Sequence, residues 1–245
     1  MAVVQSIRSR RRSHKLIHEW GLLDLNKKLQ DNLGNKVQSG PFAGMSLCED
    51  AFKEHVGPYL LGTYESELTP IWPTILARRY RQIIDIGSKF GFYAVGLALK
   101  YPEAEVKAFD IDPWAQKATG AMSRENSLSN LEVLGFCEPQ WIRENLKSDA
   151  LLVSDCEGFE KVIFSENLGP NLPSLTAIVE THDNLVPGAS DCVHKAFTST
   201  HEILKFNVPA KDALFDKLDF LTAGERASAI REIRGNQEWL VCIPK

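Results

Sequence analysis

From residue 81 onward, short runs of β-branched and aliphatic residues alternate with longer stretches of helical spacing, and that alternation leaves few folds open. The strand candidates are Gln82 to Ile86, Val106 to Asp110, Leu131 to Phe136, Ala150 to Ser154, Ala177 to Glu180, Ile203 to Val208 and Glu238 to Ile243. Helical spacing falls between them at Phe92 to Lys100, Pro113 to Glu125, Gln140 to Lys147, Gly158 to Ser165, Asp191 to His201 and Lys211 to Arg234, the last broken near Gly224. Seven strands joined by helical connectors predict a doubly wound, parallel α/β sheet. Ligands of such sheets bind beyond the carboxyl ends of the strands, beside the first one. The residues that come after each strand are therefore the ones to read.

The chain before residue 80 has a different texture. Apolar residues from Leu16 to Leu33 form a helical stripe that ends at Gly34, a turn-rich segment follows at Ser39 to Gly44, and a helix interrupted by Pro70 and Pro73 is expected over Glu67 to Arg81. We read residues 1–60 as a basic tail with a helical extension or lid, and 61–245 as the α/β domain. The net charge of −4 conceals an asymmetry. Of the 28 bases, Arg8, Arg10, Arg11, Arg12 and Lys15 precede any acid, so the remaining 23 face all 32 acids, a balance of −9. An acidic body argues against nucleic acid as partner, because phosphate recognition gathers positive charge on one face. The basic tail reads as solvated chain. No apolar run reaches the ~18 residues that span a bilayer. The five cysteines are widely spaced without a C-x-x-C pair, so no disulfide framework or zinc ribbon is indicated, and a reducing cytoplasm is the expected compartment.

The first strand runs into Asp85-Ile86-Gly87-Ser88-Lys89-Phe90-Gly91-Phe92-Tyr93. A dinucleotide turn has the form G-x-G-x-x-G, its middle glycine admitting a pyrophosphate. Here Lys89 takes the middle position, which weakens a nicotinamide or flavin reading and suits a cofactor without phosphate, such as S-adenosylmethionine. The second strand ends at Asp110, 23 residues after Gly87, near the spacing of a carboxylate that binds ribose hydroxyls. Asp112, ahead of Pro113, fits the cap of the next helix.

The fourth strand opens into Asp155-Cys156-Glu157-Gly158-Phe159-Glu160. Carboxylates crowded at the mouth of a buried strand repel one another unless something positive binds there. Alternatively, Glu157 and Glu160 sit on the first turn of the next helix, where the dipole favours acids. The fifth strand ends in Glu180-Thr181-His182-Asp183-Asn184, and His182 is the one histidine at a strand mouth. It is the candidate general base. A metal is not favoured, but Asp155, Glu180 and Asp183 are the residues that could hold Mg²⁺.

Three of these segments together resemble the FkbM-type family of class I S-adenosylmethionine-dependent methyltransferases, whose motifs run D-x-G-A-N-x-G-x-Y, A-F-E-P and D-x-E-G-x-E. The counterparts here are Asp85 to Tyr93, Ala108-Phe109-Asp110-Ile111-Asp112-Pro113 and Asp155 to Glu160, and the resemblance spans about residues 60 to 243. It implies a Rossmann-like sheet of order 3-2-1-4-5-7-6 with the last strand antiparallel. It also implies a cofactor site of Asp85, Gly87, Ser88, Lys89, Gly91, Phe92, Tyr93, Asp110 and Ile111, with Phe136, Cys137 and Glu138 beside the adenine. Asp155 and Glu157 would face the reacting centre; Tyr64 and Glu67, by their position just upstream of the first strand and not by the resemblance, are placed to close over the cofactor. Ser88-Lys89 departs from the family's Ala-Asn, and Lys89 would instead pair with the cofactor's carboxylate.

The expected activity is O-methylation of a small-molecule hydroxyl, on a sugar or secondary metabolite, with His182 as base and Glu157 second. A nicotinamide-linked oxidoreductase and a non-catalytic cofactor-binding module stay open as alternatives. So do amine methylation and assembly as a homodimer.

Overall fold

The computed structural model describes residues 15–207, 218–234 and 237–245. Seven strands build one sheet: β1 (Gln82–Ile86), β2 (Glu105–Phe109), β3 (Leu131–Leu134), β4 (Ala150–Ser154), β5 (Thr176–Thr181), β6 (His201–Asn207) and β7 (Glu238–Pro244). Their order is β3-β2-β1-β4-β5-β7-β6. The first five are parallel, and β7 lies antiparallel between β5 and β6. This is the expected Rossmann-like doubly wound sheet. Every residue of β1, β4 and β5 is buried, as strands covered by helices on both faces must be.

The side-chain period of two divides the core between the two faces. Ile83, Leu151, Val153, Ile178, Trp239 and Val241 point to one side, and Ile84, Leu152, Ala177, Val179, Leu240 and Cys242 to the other. The first face carries α4 (Phe92–Lys100) and α5 (Pro113–Glu125), together with the N-terminal helices α1 (Leu22–Leu33), α2 (Gly57–Leu61) and α3 (Trp72–Leu76). The second carries α6 (Pro139–Asn145), α7 (Glu160–Ser165) and α8 (Ala189–Phe197). The short helix α9 (Ala223–Ile230) returns to the first side and begins in a capping box of Thr222 and Glu225.

Several element boundaries differ from expectation for local reasons. The N-terminal stripe breaks at Gly21, whose φ of 64° caps α1, so 15–19 form a separate helical turn. The expected Glu67 to Arg81 helix is reduced to a 3₁₀ turn at Ser66–Leu68 and the five residues of α3, since Pro70 and Pro73 each remove a backbone donor. The third strand stops at Leu134, two residues early. The basic tail other than Lys15, Val208 and residues 211–217 of the expected Lys211 to Arg234 helix lie outside the described residues. The contacts that stitch the N-terminal segment to α9 and to Arg231 just beyond it include the Lys28 ammonium paired with Glu225, the Arg231 guanidinium 4.6 Å above the Trp20 ring, and His55 Nε2 at 2.7 Å from the Arg231 carbonyl oxygen. No helix among the described residues is long and apolar enough to cross a membrane.

Candidate active site

A cavity of about 230 Å³ opens at the carboxyl ends of β1, β2, β4 and β5. Its floor is the turn after β1. Gly87, Lys89 and Asp110 line it, as do Ile111, Phe136, Cys137, Asp155 and Glu157. Tyr64 closes one side, its ring stacked on Tyr59 at 3.9 Å. The N-terminal segment contributes Ile17, Glu54, His55 and Tyr59 to the lining. Most of the expected cofactor residues are thus brought together, although in the chain they are scattered from Tyr64 to Asp155.

Asp110 leaves β2 with each carboxylate oxygen on a backbone donor: Lys89 N–H at 2.9 Å and Asp112 N–H at 2.8 Å. Burial raises its pKa, and those two donors oppose the rise. Lys89 has a φ of 51°, so a non-glycine residue occupies the left-handed region at the turn's midpoint. Its ammonium donates to the Tyr59 hydroxyl at 3.2 Å and lies 5.4 Å from that ring's centre, tying the turn to the N-terminal wall. Asp112 caps α5 as expected, accepting the Trp114 N–H at 2.9 Å. The exposed Phe136 ring stands 5.1 Å from Phe159 at the rim. Burial holds the Cys137 thiol protonated, with a pKa pushed up to about 12.

Other expected cofactor residues do not reach the cavity. Asp85 points from β1 into the first core face, where its carboxylate accepts the Ala94 N–H at 3.0 Å and serves as a cap for α4. Ser88 is buried against Thr119, and Gly91 is the N-cap of α4. Phe92 and Tyr93 pack edge-on against Phe42 on the same side of the sheet. Glu67 is buried and held by Arg234 rather than placed over the cavity. These side chains serve packing and capping: Asp85 and Gly91 cap α4, Phe92 and Tyr93 open that helix on its core face, and Glu67 is taken up by Arg234.

Arg234 is invisible to motif reading. It lies in the segment between α9 and β7, and its guanidinium pairs with Glu67, Glu232 and Glu180, the last at 3.0 Å. No local pattern marks a residue whose partner Glu67 stands 167 positions away. Tyr59 and Glu160 are likewise absent from the expected site, although Glu160 closes the D-x-E-G-x-E segment.

A cluster of carboxylates surrounds His182 on the cavity wall. His182 is 1% exposed, with Glu160 Oε1 3.1 Å from Nδ1. On the Nε2 side stand Glu180 at 3.3 Å, Asp155 at 3.5 Å and Glu157 at 4.0 Å. Burial alone lowers an imidazole's pKa, but the hydrogen bonds to Glu160 and Glu180 and the Asp155 charge overcome it and push the value up to about 12. These carboxylates favour the protonated ring, a state that opposes the expected role of His182 as base. Glu180 is itself pushed up to about 8, chiefly by burial and the Asp155 charge. Asp183 does not join the cluster, because it caps α8 through the N–H groups of Gly188 at 2.9 Å and Ser190 at 3.1 Å.

The cavity wall carries an excess of negative charge. Among the described residues of the lining, Glu54, Asp110, Asp112, Asp155, Glu157 and Glu232 face Lys89, Arg234 and two histidines, while Glu180 is shifted toward its neutral form. A pyrophosphate would be repelled by such a wall; a cationic ligand is attracted to it.

No protein-family model matches the chain, and no curated protein matches it. Solved structures do. The O-methyltransferase TomG from Streptomyces achromogenes, solved with S-adenosylmethionine, aligns with a TM-score of 0.50 at 12% identity over 80% of this chain and 90% of its own. An rRNA methylase from Streptococcus thermophilus gives 0.48 at 11% identity over 70% and 93%, and precorrin-6y C5,15-methyltransferase from Geobacter metallireducens gives 0.47 at 12% over 72% and 89%. At these identities likeness speaks to the fold. The chain has the seven-stranded, Rossmann-like fold of methyltransferases, with its last strand antiparallel.

Proposed function

We propose that this protein is an S-adenosylmethionine-dependent O-methyltransferase of the FkbM type, acting on a hydroxyl of a small molecule. The observation that carries this reading is the strongly acidic cavity above a turn with Lys89 where a dinucleotide turn has glycine. That combination suits a sulfonium cofactor and opposes a pyrophosphate. Asp110 would take the ribose hydroxyls, Gly87 and Lys89 the methionine portion, and Phe136 with Cys137 the adenine. Tyr64 and Asp155 would border the transferable methyl. An acidic wall and an N-terminal segment that narrows the cavity favour a small acceptor over nucleic acid. The five unpaired thiols accord with a cytoplasmic location.

Methyl transfer is an in-line displacement at carbon, so the protein's tasks are alignment and removal of the hydroxyl proton. With both ring nitrogens of His182 engaged by carboxylates, Glu157 takes the role of base. It sits at φ 55° on the turn after β4, its side chain 39% exposed beside the cluster. His182 lies against Asp155, Glu160 and Glu180 and keeps them in place. Calorimetric titration with S-adenosylmethionine tests the cofactor assignment, and turnover across a panel of hydroxylated metabolites, read as demethylated cofactor, tests the activity. Binding of a nicotinamide dinucleotide in its place would overturn the reading. Saturable cofactor binding without turnover on any acceptor would leave a binding module.

A further inference from the structure

We propose that Asp155, Glu180 and His182 form a divalent-cation site on the cavity wall, suited to an ion of intermediate hardness such as Mn²⁺ or Zn²⁺. Each of the three offers one ligand atom, and those atoms lie within 4.8 Å of one another. From His182 Nε2 the distances are 3.5 Å to Asp155 Oδ1 and 3.3 Å to Glu180 Oε2. Ligands bound at ~2.0–2.2 Å to one ion stand roughly 3.0–3.5 Å apart, so these two separations already match a shared ion.

The surroundings orient each ligand. Glu160, wholly buried, holds His182 Nδ1 at 3.1 Å and is itself fixed by the Cys156 N–H at 2.9 Å, which leaves Nε2 turned toward the carboxylates. A carboxylate behind a ligating histidine is the usual second partner of such a ring. The other oxygen of Glu160 is buried without a hydrogen-bond partner. Glu180 is shared: Arg234 holds Oε1 at 3.0 Å, and Oε2 remains for the ion. Strand pairing makes the arrangement rigid, since Ser154 and Val179 are in register and deliver Asp155 and Glu180 side by side. One nitrogen and two carboxylates favour Mn²⁺ or Zn²⁺ over Mg²⁺, which prefers oxygen alone. All three residues line the cavity, so an ion held by them would be reached from it. Use of the ion to acidify an acceptor hydroxyl rests on the methyltransferase reading; the site itself rests only on the side chains.

The test titrates chelator-treated protein with Mn²⁺ and follows the loss of the free-ion paramagnetic resonance signal, without cofactor. One ion per chain is expected, with nitrogen hyperfine coupling in the pulsed spectrum of the bound ion. Asp155→Asn should weaken binding at least tenfold, His182→Gln should abolish the coupling, and Glu160→Gln should weaken binding roughly tenfold. Circular dichroism of each variant checks folding, and the wild-type coupling alone suffices if His182→Gln does not fold. Absence of saturable Mn²⁺ and Zn²⁺ binding at millimolar concentration, or binding without nitrogen coupling, overturns the site. Cofactor binding by the same chelated protein is measured in parallel, so failure of the metal site and failure of the methyltransferase reading are told apart.

Discussion

Gly87 and Asp155 touch across the sheet: a Cβ built on Gly87 would stand 1.8 Å from the Asp155 carbonyl oxygen. The turn after β1 and the turn after β4 are thus in contact through backbone. Gly87 also has a φ of 88°, which only glycine adopts without strain. Gly87→Ala must push the two turns apart, and with them Lys89 and Asp155 on the cavity wall. The expected result is a loss of ~2–4 kcal/mol in urea-unfolding stability together with loss of cofactor binding. Wild-type stability in this variant would show that the turns do not meet.

Asp110 is expected to set cofactor affinity. Asp110→Ala should weaken S-adenosylmethionine binding at least tenfold by calorimetry, a loss of ~1.4 kcal/mol or more. Asp110→Asn keeps an acceptor for the Lys89 or Asp112 N–H and should lie between the two. Unaltered affinity in both variants would remove Asp110 from the ribose.

Lys89 distinguishes two roles. Its ammonium donates to Tyr59 at 3.2 Å, and it also lines the cavity. Lys89→Met keeps the apolar stem and removes the charge. If the ammonium also pairs with the cofactor's carboxylate, affinity falls while the melting temperature changes little; equal affinity would assign Lys89 to the Tyr59 contact alone.

Arg234 is 11% exposed and stands between Glu67 at 2% and Glu180 at 4%. Removing one partner of such a group leaves buried charge uncompensated. Arg234→Met should therefore cost ~3–5 kcal/mol in denaturant unfolding, and adding Glu67→Leu should restore part of it. A double variant no more stable than Arg234→Met would argue against the coupling.

Asp85 makes stability depend on pH. Burial, opposed by the Ala94 N–H and reinforced by the charges of Asp110 and Asp155, pushes its pKa up to about 8. An unfolded aspartate titrates near ~3.9, so between those values the folded chain holds a proton that the unfolded chain has released. Stability therefore falls as pH rises from about 4 toward 8. Asp85→Asn keeps an oxygen for the Ala94 N–H and should flatten that decline in melting temperature. Identical slopes in wild type and variant would count against it.

What sequence alone determined is the sheet. Continuous apolar runs such as Ile83-Ile84 and Leu151-Leu152-Val153 must be buried on both faces, and that requirement produces the covered parallel strands observed here. The strand-end rule likewise brought Gly87, Asp110 and Asp155 to one cavity, because each motif and its strand are contiguous in the chain. The state of the side chains was decided elsewhere. Whether His182 can accept a proton depends on Glu160, Glu180, Asp155 and Glu157, which arrive from two strand ends and a helix. Arg234 meets Glu67 only after the chain between α9 and β7 returns to the N-terminal segment. Backbone pattern is a local property of the chain, whereas the pKa and pairing of a buried group are set by the charges that tertiary packing places within a few ångströms of it.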